Sequence, residues 1–165
     1  MDPAQLHNLI SAAFKARDNA HAPYSKFRVG AALLSASGAH IAGCNVENAS
    51  YGAGICAERT AIVKGVSEGE RAYTAVVVVS DVPTPTISPC GICRQSLREF
   101  CPLDTPVYMV SATYPALAPA DGPPPAFLVP DADGGRWPRA TDASVIAVLT
   151  LEQLLPMSFG PDNLT

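Results

Sequence analysis

The chain has 165 residues, which suits one domain, and 48% of them are hydrophobic. Its formal net charge is −4 and no basic cluster occurs, so a polynucleotide, which selects Lys/Arg-rich surfaces, is not the expected partner. No apolar run approaches the ~20 residues of a membrane helix, and the N-terminus lacks a signal-peptide pattern, so we expect a soluble protein of the cytoplasm.

The N-terminal part of the chain predicts a helix followed by a hairpin. Asp2-Pro3 is typical of a helix start, with an acidic N-cap and proline in the first turn, and apolar residues at helical spacing extend this helix to about Asn19. Residues 29–34 and 41–46 have the composition of strands. The short turn Ala36-Ser37-Gly38 between them predicts that the two strands pair in antiparallel fashion.

Two strand–loop–helix units follow, and each places a cysteine at or near the start of its helix. The helix of the first unit carries Cys56 and Glu58, and the helix of the second unit covers residues 91–100 after Cys90. Residues 73–80 between them are β-branched and apolar on both faces, as in a sheet covered by helices on each side. This order predicts an α/β domain with its site at the carboxyl ends of the strands.

The remaining predicted elements are strands at residues 106–111 and 144–149 and a short helix over residues 151–155, capped by Thr150. Between those strands, repeated proline and glycine make residues 112–143 unsuitable for a helix or a central strand. We interpret this segment as a long surface insertion within a single domain spanning residues 1–165. Its apolar residues 126–129 could anchor it to the body of the domain.

Three of the five cysteines and one glutamate form a pattern typical of a zinc site. Without a secretory signal, an odd number of cysteines that includes a C-x-x-C pair favours metal binding or redox chemistry over disulfides. Cys90 and Cys93 can reach one ion from a helix start, and Cys56 completes the set two residues before Glu58. Three ligands leave one zinc position for water, and Glu58 would handle the protons of that water.

Charge counting assigns a role to Arg59. Three thiolates carry three negative charges and the zinc ion carries two positive charges, so the complex would have a net negative charge. This excess negative charge would make the ion a poor Lewis acid. Helix N-termini aimed at the ion would withdraw electron density, and Arg59 could donate hydrogen bonds to the thiolates. The other two cysteines, Cys44 and Cys101, fit no ligand spacing and are expected to be buried apolar thiols.

Characteristic motifs extend over nearly the whole chain, at residues 27–34, 45–49, 56–61, 88–95 and 154–161. Taken together, these motifs resemble those of the small homotetrameric cytidine deaminases. The resemblance implies a three-layer α/β/α sandwich around a five-stranded mixed sheet, one zinc ion per subunit, and hydrolytic deamination of cytidine and 2′-deoxycytidine in pyrimidine salvage. The chain departs from the family at residues 112–143, because the family joins its last two strands by a short turn.

The same resemblance implies roles for individual residues. It makes the three cysteines the zinc ligands and the glutamate beside them the proton shuttle. Asn45 and Glu47 would bind the ribose 3′-hydroxyl, with Tyr51 nearby. The Ala57 backbone N–H would meet the pyrimidine carbonyl, and Phe27 would pack on the base or the sugar.

Phe159 would reach into a neighbouring subunit's site, so that each pocket of the homotetramer lies at a subunit interface.

Two other functions stay open: a deaminase of a modified cytosine nucleoside such as blasticidin S, whose family shares the Cys-Ala-Glu and Pro-Cys-Gly-x-Cys motifs, and a zinc-stabilised binding module without turnover. The pair Asn45 and Glu47 and the tail Phe159-Gly160-Pro161 favour the cytidine deaminase. Glu58 beside an open zinc position argues against the binding module.

Overall fold

A mixed sheet carries helices on both faces in the computed structural model, which describes residues 1–83, 86–114, 127–128 and 146–164. The helices in these ranges are α1 (Pro3–Asp18), α2 (Ala57–Ser67), α3 (Gly91–Phe100) and α4 (Leu151–Leu154). The strands are β1 (Val29–Ser35), β2 (His40–Cys44), β3 (Tyr73–Ser80), β4 (Pro106–Val110), β5 (Phe127–Leu128) and β6 (Ile146–Thr150).

The sheet has the order β2-β1-β3-β4-β6-β5. β1 is antiparallel to both β2 and β3, so the predicted hairpin is confirmed. β3 and β4 are parallel, β4 and β6 are antiparallel, and the two-residue β5 pairs with β6 at the far edge. The predicted five-stranded mixed sheet is therefore present, with β5 as a short sixth strand.

Side chains of β3 alternate between two hydrophobic cores. Val76 faces the core that contains Leu97 of α3, and Val77 faces the core that contains Leu9 of α1. Burying each such side chain contributes about 1.5–3 kcal/mol. Helices therefore cover both faces of the sheet, which confirms the predicted α/β/α layering and the central position of β3.

Several predicted boundaries differ from the structure by one or two residues, and two of these differences have a clear local reason. β2 ends at Cys44 rather than at residue 46, because Val46 leaves the ladder and forms isolated bridges with His21 and Ile55. The last strand ends one residue later than predicted, at Thr150, whose hydroxyl then accepts a hydrogen bond from Gln153 N and caps α4.

The predicted insertion at residues 112–143 lies for most of its length outside the described residues. Within it, the backbone of Phe127–Leu128 pairs with Ile146 and Ala147 of β6, in agreement with an anchoring role for residues 126–129. In the ranges that the structure describes, no helix has the length and hydrophobicity needed to cross a bilayer.

Gly43 determines how closely β2 approaches the helix that carries Glu58. A Cβ at residue 43 would lie 2.4 Å from Ala61 N and 2.8 Å from Ala57 O, both backbone atoms of α2. We therefore expect Gly43→Ala to lower the free energy of unfolding by about 1–3 kcal/mol through overpacking. Denaturant titration measures this loss, with Gly52→Ala as the control because a Cβ there meets nothing within 4 Å. Equal stability of the two variants would contradict the close packing.

Candidate active site

Three thiols meet where the N-termini of α2 and α3 converge. Cys56 is the N-cap residue of α2, Cys90 is the N-cap residue of α3, and Cys93 lies in the first turn of α3. Their sulfur atoms all lie within 4.8 Å of one another, and 3.8 Å separates Cys56 Sγ from Cys90 Sγ. Among the described residues, no other three His, Cys, Asp or Glu side chains form such a group. The structure thus brings the predicted ligands together.

The geometry of this thiol cluster fits zinc. Zn–S bonds of about 2.3 Å at tetrahedral angles place sulfur atoms roughly 3.8 Å apart, which is the separation between Cys56 and Cys90. Neither of these two N-cap thiols caps its own helix, so the positive ends of both helix dipoles face the cluster. Because neither of the two remaining cysteines belongs to the cluster, zinc bound there would keep the open position of a catalytic site.

The two cysteines outside the cluster differ from each other. Cys101 is buried as predicted, and burial raises its pKa to about 12. Cys44 is only half-buried, so the prediction of a buried thiol is wrong at that position. It is the last residue of β2, where the chain leaves the sheet, and its Sγ lies 3.6 Å from Asn19 O.

Arg59 contacts the thiol cluster, as the charge count predicts. Its Nη2 donates to Cys56 Sγ at 3.8 Å, and this hydrogen bond, together with the charge of Cys56, raises the pKa of Arg59. Its Nε is buried and has no hydrogen-bond partner among the described residues. A guanidinium held here offsets part of the negative charge that thiolates would bring to a metal ion.

The pKa values of Cys90 and Cys93 shift in opposite directions. Burial acts to raise the pKa of Cys90, but hydrogen bonds from Cys93 and Cys56 outweigh burial, and the net shift is downward. The pKa of Cys93 is raised, first by burial and then by the charge of Glu58. The thiol at the surface therefore loses its proton more readily than the one beneath it.

Glu58 lies beside the cluster in surroundings that exclude most water. The residue is 4% exposed, and its Oε2 accepts a hydrogen bond from Cys93 Sγ at 3.3 Å. Burial raises the pKa of this carboxyl group, although hydrogen bonds from its own backbone N–H and from Cys93 act in the opposite direction. A carboxyl group with a raised pKa can both accept and release a proton nearer neutral pH.

A cavity of about 450 Å³ opens onto Glu58 and the thiol cluster, a size typical of small-molecule pockets. It is lined by five of the predicted substrate-binding residues, Phe27, Asn45, Glu47, Tyr51 and Ala57. Four further residues line the cavity but were not predicted as site residues; they lie in and after β3: Val78, Ser80, Ile87 and Ser88. The sequence could have indicated them, because they lie near or beyond the carboxyl end of a predicted central strand, where α/β folds bind ligands.

Asn45 fastens the start of β1 beside the cavity. Its Oδ1 accepts from Val29 N at 2.8 Å, and its Nδ2 donates to Phe27 O at 2.9 Å. A side-chain amide has two N–H hydrogens and two oxygen lone pairs, so these two hydrogen bonds use half of its hydrogen-bonding capacity. Asn45 therefore positions the Phe27 segment and can still bind a ligand.

Glu47 holds the loop that precedes β1. Its carboxylate accepts from Tyr24 N at 2.9 Å, from Ser25 N at 3.2 Å and from the Ser25 hydroxyl. The Ser25 hydroxyl and then the backbone N–H groups of Tyr24 and Ser25 lower the pKa of this carboxyl, against the effect of burial. Glu47 is thus an ionised acceptor at the cavity wall, whose contacts with this loop were not predicted.

Arg94 connects the loop before α3 with the C-terminal part of the chain. Its guanidinium donates to Pro89 O at 2.7 Å, to Ser88 Oγ at 2.8 Å and to Leu154 O at 2.8 Å. These bonds fix the backbone immediately before Cys90. Sequence reasoning does not assign this role, although Arg94 directly follows the C-x-x-C pair.

Phe159 is the predicted substrate-binding residue that the structure does not bring to this cavity. It is 58% exposed and is not among the residues that line the cavity. Its carbonyl oxygen accepts a hydrogen bond from Gln95 Nε2 at 3.0 Å. A role for Phe159 in a neighbouring subunit's pocket stays a prediction.

Comparison with known proteins gives the same family at three levels. Residues 3–109 match the cytidine and deoxycytidylate deaminase zinc-binding region. A cytidine deaminase of Halalkalibacterium halodurans is 54% identical over 101 residues, which cover 61% of this chain and 76% of that protein. The crystal structure of a cytidine deaminase from Burkholderia pseudomallei covers 96% of this chain and all of its own at a TM-score of 0.69 and 35% identity. A blasticidin-S deaminase of Bacillus cereus is more distant, at 31% identity over 85 residues, or 47% of this chain and 61% of that protein.

Proposed function

The chain belongs to the cytidine and deoxycytidylate deaminase family, and from this membership and the geometry of the site we propose that it hydrolyses cytidine and 2′-deoxycytidine to uridine and 2′-deoxyuridine with release of ammonia. The observation that carries the proposal is the buried carboxyl group of Glu58, which lines a cavity of about 450 Å³ and lies 3.3 Å from Cys93 Sγ of the thiol cluster.

Zinc bound by Cys56, Cys90 and Cys93 would supply an activated water to the reaction. The chain's own contribution to proton transfer is Glu58. Its carboxylate would accept a proton from the attacking water and deliver it to N3 of the cytosine ring, and would then carry the second proton to the departing amino group. The raised pKa of Glu58 suits a group that acts as base and as acid in turn.

The cavity wall supports binding of a complete nucleoside. Glu47, ionised because the Ser25 hydroxyl lowers its pKa, can accept a hydrogen bond from a ribose hydroxyl, and Asn45 has donor and acceptor capacity on the same wall. Ala57 is the first residue of α2, so its N–H has no partner within the helix and can meet the pyrimidine carbonyl. We assign to Phe27 a packing contact with the base or sugar, and to Tyr51 a place at the mouth of the cavity, where it is 82% exposed.

We infer that the active unit is a homotetramer in which Phe159 of one subunit forms a wall of a neighbour's pocket. Large apolar side chains exposed near the C-terminus and on α3 support an interface there: Met157 at 101%, Ile92 at 64% and Phe159 at 58%. We place the enzyme in the cytoplasm, since a centre built on reduced thiols suits a reducing compartment.

A panel of four substrates tests the proposed reaction. We expect cytidine and 2′-deoxycytidine to be converted, and free cytosine to show a kcat/KM lower by roughly 10–100-fold, because each lost sugar hydrogen bond costs about 0.5–1.5 kcal/mol. The loss of ultraviolet absorbance on deamination gives the rates, and blasticidin S is the fourth substrate. Turnover of blasticidin S alone would contradict the proposal in favour of the modified-nucleoside enzyme, and no turnover of any substrate would favour a binding module.

A further inference from the structure

We propose that Arg98 is a positioning residue for this reaction: it fixes residues 158–162 so that the Phe159 ring projects away from its own chain in the orientation that a neighbouring subunit's pocket requires. The proposal rests on the proposed role of Phe159 and goes beyond it, since Arg98 does not line the cavity in the part of the chain that the structure describes.

Arg98 is a buried cation that contacts the tail on both sides of Phe159. Its side chain is 8% exposed. Its Nε donates to Ser158 Oγ at 3.2 Å, and its Nη2 donates to Asp162 Oδ1. The planar guanidinium thus fixes two points of one short segment, which a single ammonium group could not do with the same geometry.

The backbone at Gly160 lies directly against this guanidinium. A Cβ at residue 160 would lie 2.3 Å from Arg98 Cζ and 2.6 Å from Nη2, so a larger residue could not approach as closely. Gly160 N also donates to Asn163 Oδ1 at 2.8 Å, which closes the short 3-10 turn Pro161–Asn163. Phe159 therefore lies between two residues that both contact Arg98.

A second residue of α3 holds the main chain of Phe159. Gln95 Nε2 donates to Phe159 O at 3.0 Å. Gln95 and Arg98 are three residues apart and so share one face of α3. The backbone of Phe159 is fixed from this face, while its side chain remains mostly exposed.

The chain enters the tail through a constrained turn. Met157 has φ of 55°, in the left-handed region that residues other than glycine rarely adopt, and its side chain is fully exposed. Such a conformation persists when the structure around it holds it in place. The contacts of Arg98 and Gln95 provide this support on the C-terminal side of the turn.

Helix α3 connects the tail to the thiol cluster. Its start carries Cys90 and Cys93, and its later turns carry Gln95 and Arg98. A helix of this length is a rigid rod of about 15 Å. One element therefore sets the position of a subunit's own thiols and of the aromatic ring that it would lend to a neighbour.

A double-mutant cycle between Arg98 and Phe159 tests the proposal. We expect Phe159→Ala, Arg98→Ala and the double variant to raise KM for cytidine by a similar factor, roughly tenfold, with little change in kcat, because Arg98 acts only through the ring that the other substitution removes. Arg98→Lys retains the charge but not the planar guanidinium, so its KM should lie between those of the wild type and of Arg98→Ala. Asp162→Asn should raise KM to a smaller extent, and this effect should also vanish in the Phe159→Ala background.

An exposed neighbour provides a matched control. Arg71→Ala removes an exposed arginine that lines the same surface groove as Arg98, and it should keep the wild-type KM. If Phe159→Ala leaves KM unchanged, the proposed role of Phe159 fails and the inference fails with it. If Phe159→Ala raises KM but the Arg98→Ala effect is absent or additive, only the inference about Arg98 is overturned. Should Arg98→Ala not fold, the Asp162→Asn cycle decides by the same criterion.

Discussion

Glu58→Gln is expected to lower kcat for cytidine deamination by roughly 10²–10⁴-fold while zinc content and stability are retained. Glutamine has the size of glutamate, and its side-chain carbonyl can still accept the hydrogen bond from Cys93 Sγ, but the amide cannot take up a proton. Because a neutral side chain is also easier to bury than a carboxylate, we expect no loss of stability. Steady-state rates, metal analysis and thermal unfolding of the same preparation measure the three quantities.

The matched control is Glu68→Gln at the other end of α2, where the carboxyl group is exposed at the C-cap. This variant should have wild-type rates. Turnover of Glu58→Gln close to that of the control would refute proton transfer by Glu58. Loss of zinc together with turnover would instead make Glu58 a support of the metal site, with no separate role in the chemistry.

Local sequence patterns were enough to predict most of the fold. The Asp2 cap, the continuous apolar and β-branched run of β3 and the Thr150 cap each involve only a few neighbouring residues, so the sequence predicts them and the structure contains them. The thiol cluster was predictable for a different reason. Cys56 and Cys90 are 34 residues apart, but cysteines at helix starts beside a glutamate form a known zinc-ligand pattern, which implies that they meet at one ion.

Contacts between distant residues could not be predicted in this way. Arg94 donates to Leu154 and Arg98 to Ser158, in each case 60 residues further along the chain, and neither contact leaves a periodic signal. The contacts of Glu47 were likewise only partly predictable. The resemblance predicts that Glu47 binds the sugar of the substrate, and only the structure reveals that its carboxylate also accepts hydrogen bonds from the loop at Ser25. Residues that position a site are therefore harder to find from sequence than residues that touch a substrate.

Cys90→Ser is expected to remove zinc, and with it nearly all activity, from a chain that remains folded. Cys90 is exposed, so the substitution leaves the core intact. Serine is a favoured N-cap whose hydroxyl can accept a hydrogen bond from the first turn of α3, so the substitution should not weaken the start of this helix. Two thiols and a hydroxyl bind zinc much more weakly than three thiolates, so metal analysis should show a fall from about one zinc per chain toward zero.

Cys44→Ser is the matched control for this loss, because Cys44 is partly exposed and lies outside the thiol cluster. It should keep about one zinc per chain. Since zinc bound to the native state stabilises it, a chelator should lower the Tm of the wild type and of Cys44→Ser but leave that of Cys90→Ser unchanged. Equal zinc content in the two serine variants would exclude the thiol cluster as the metal site. In that case, the convergence of two helix N-termini on these sulfur atoms would need an explanation other than holding an ion.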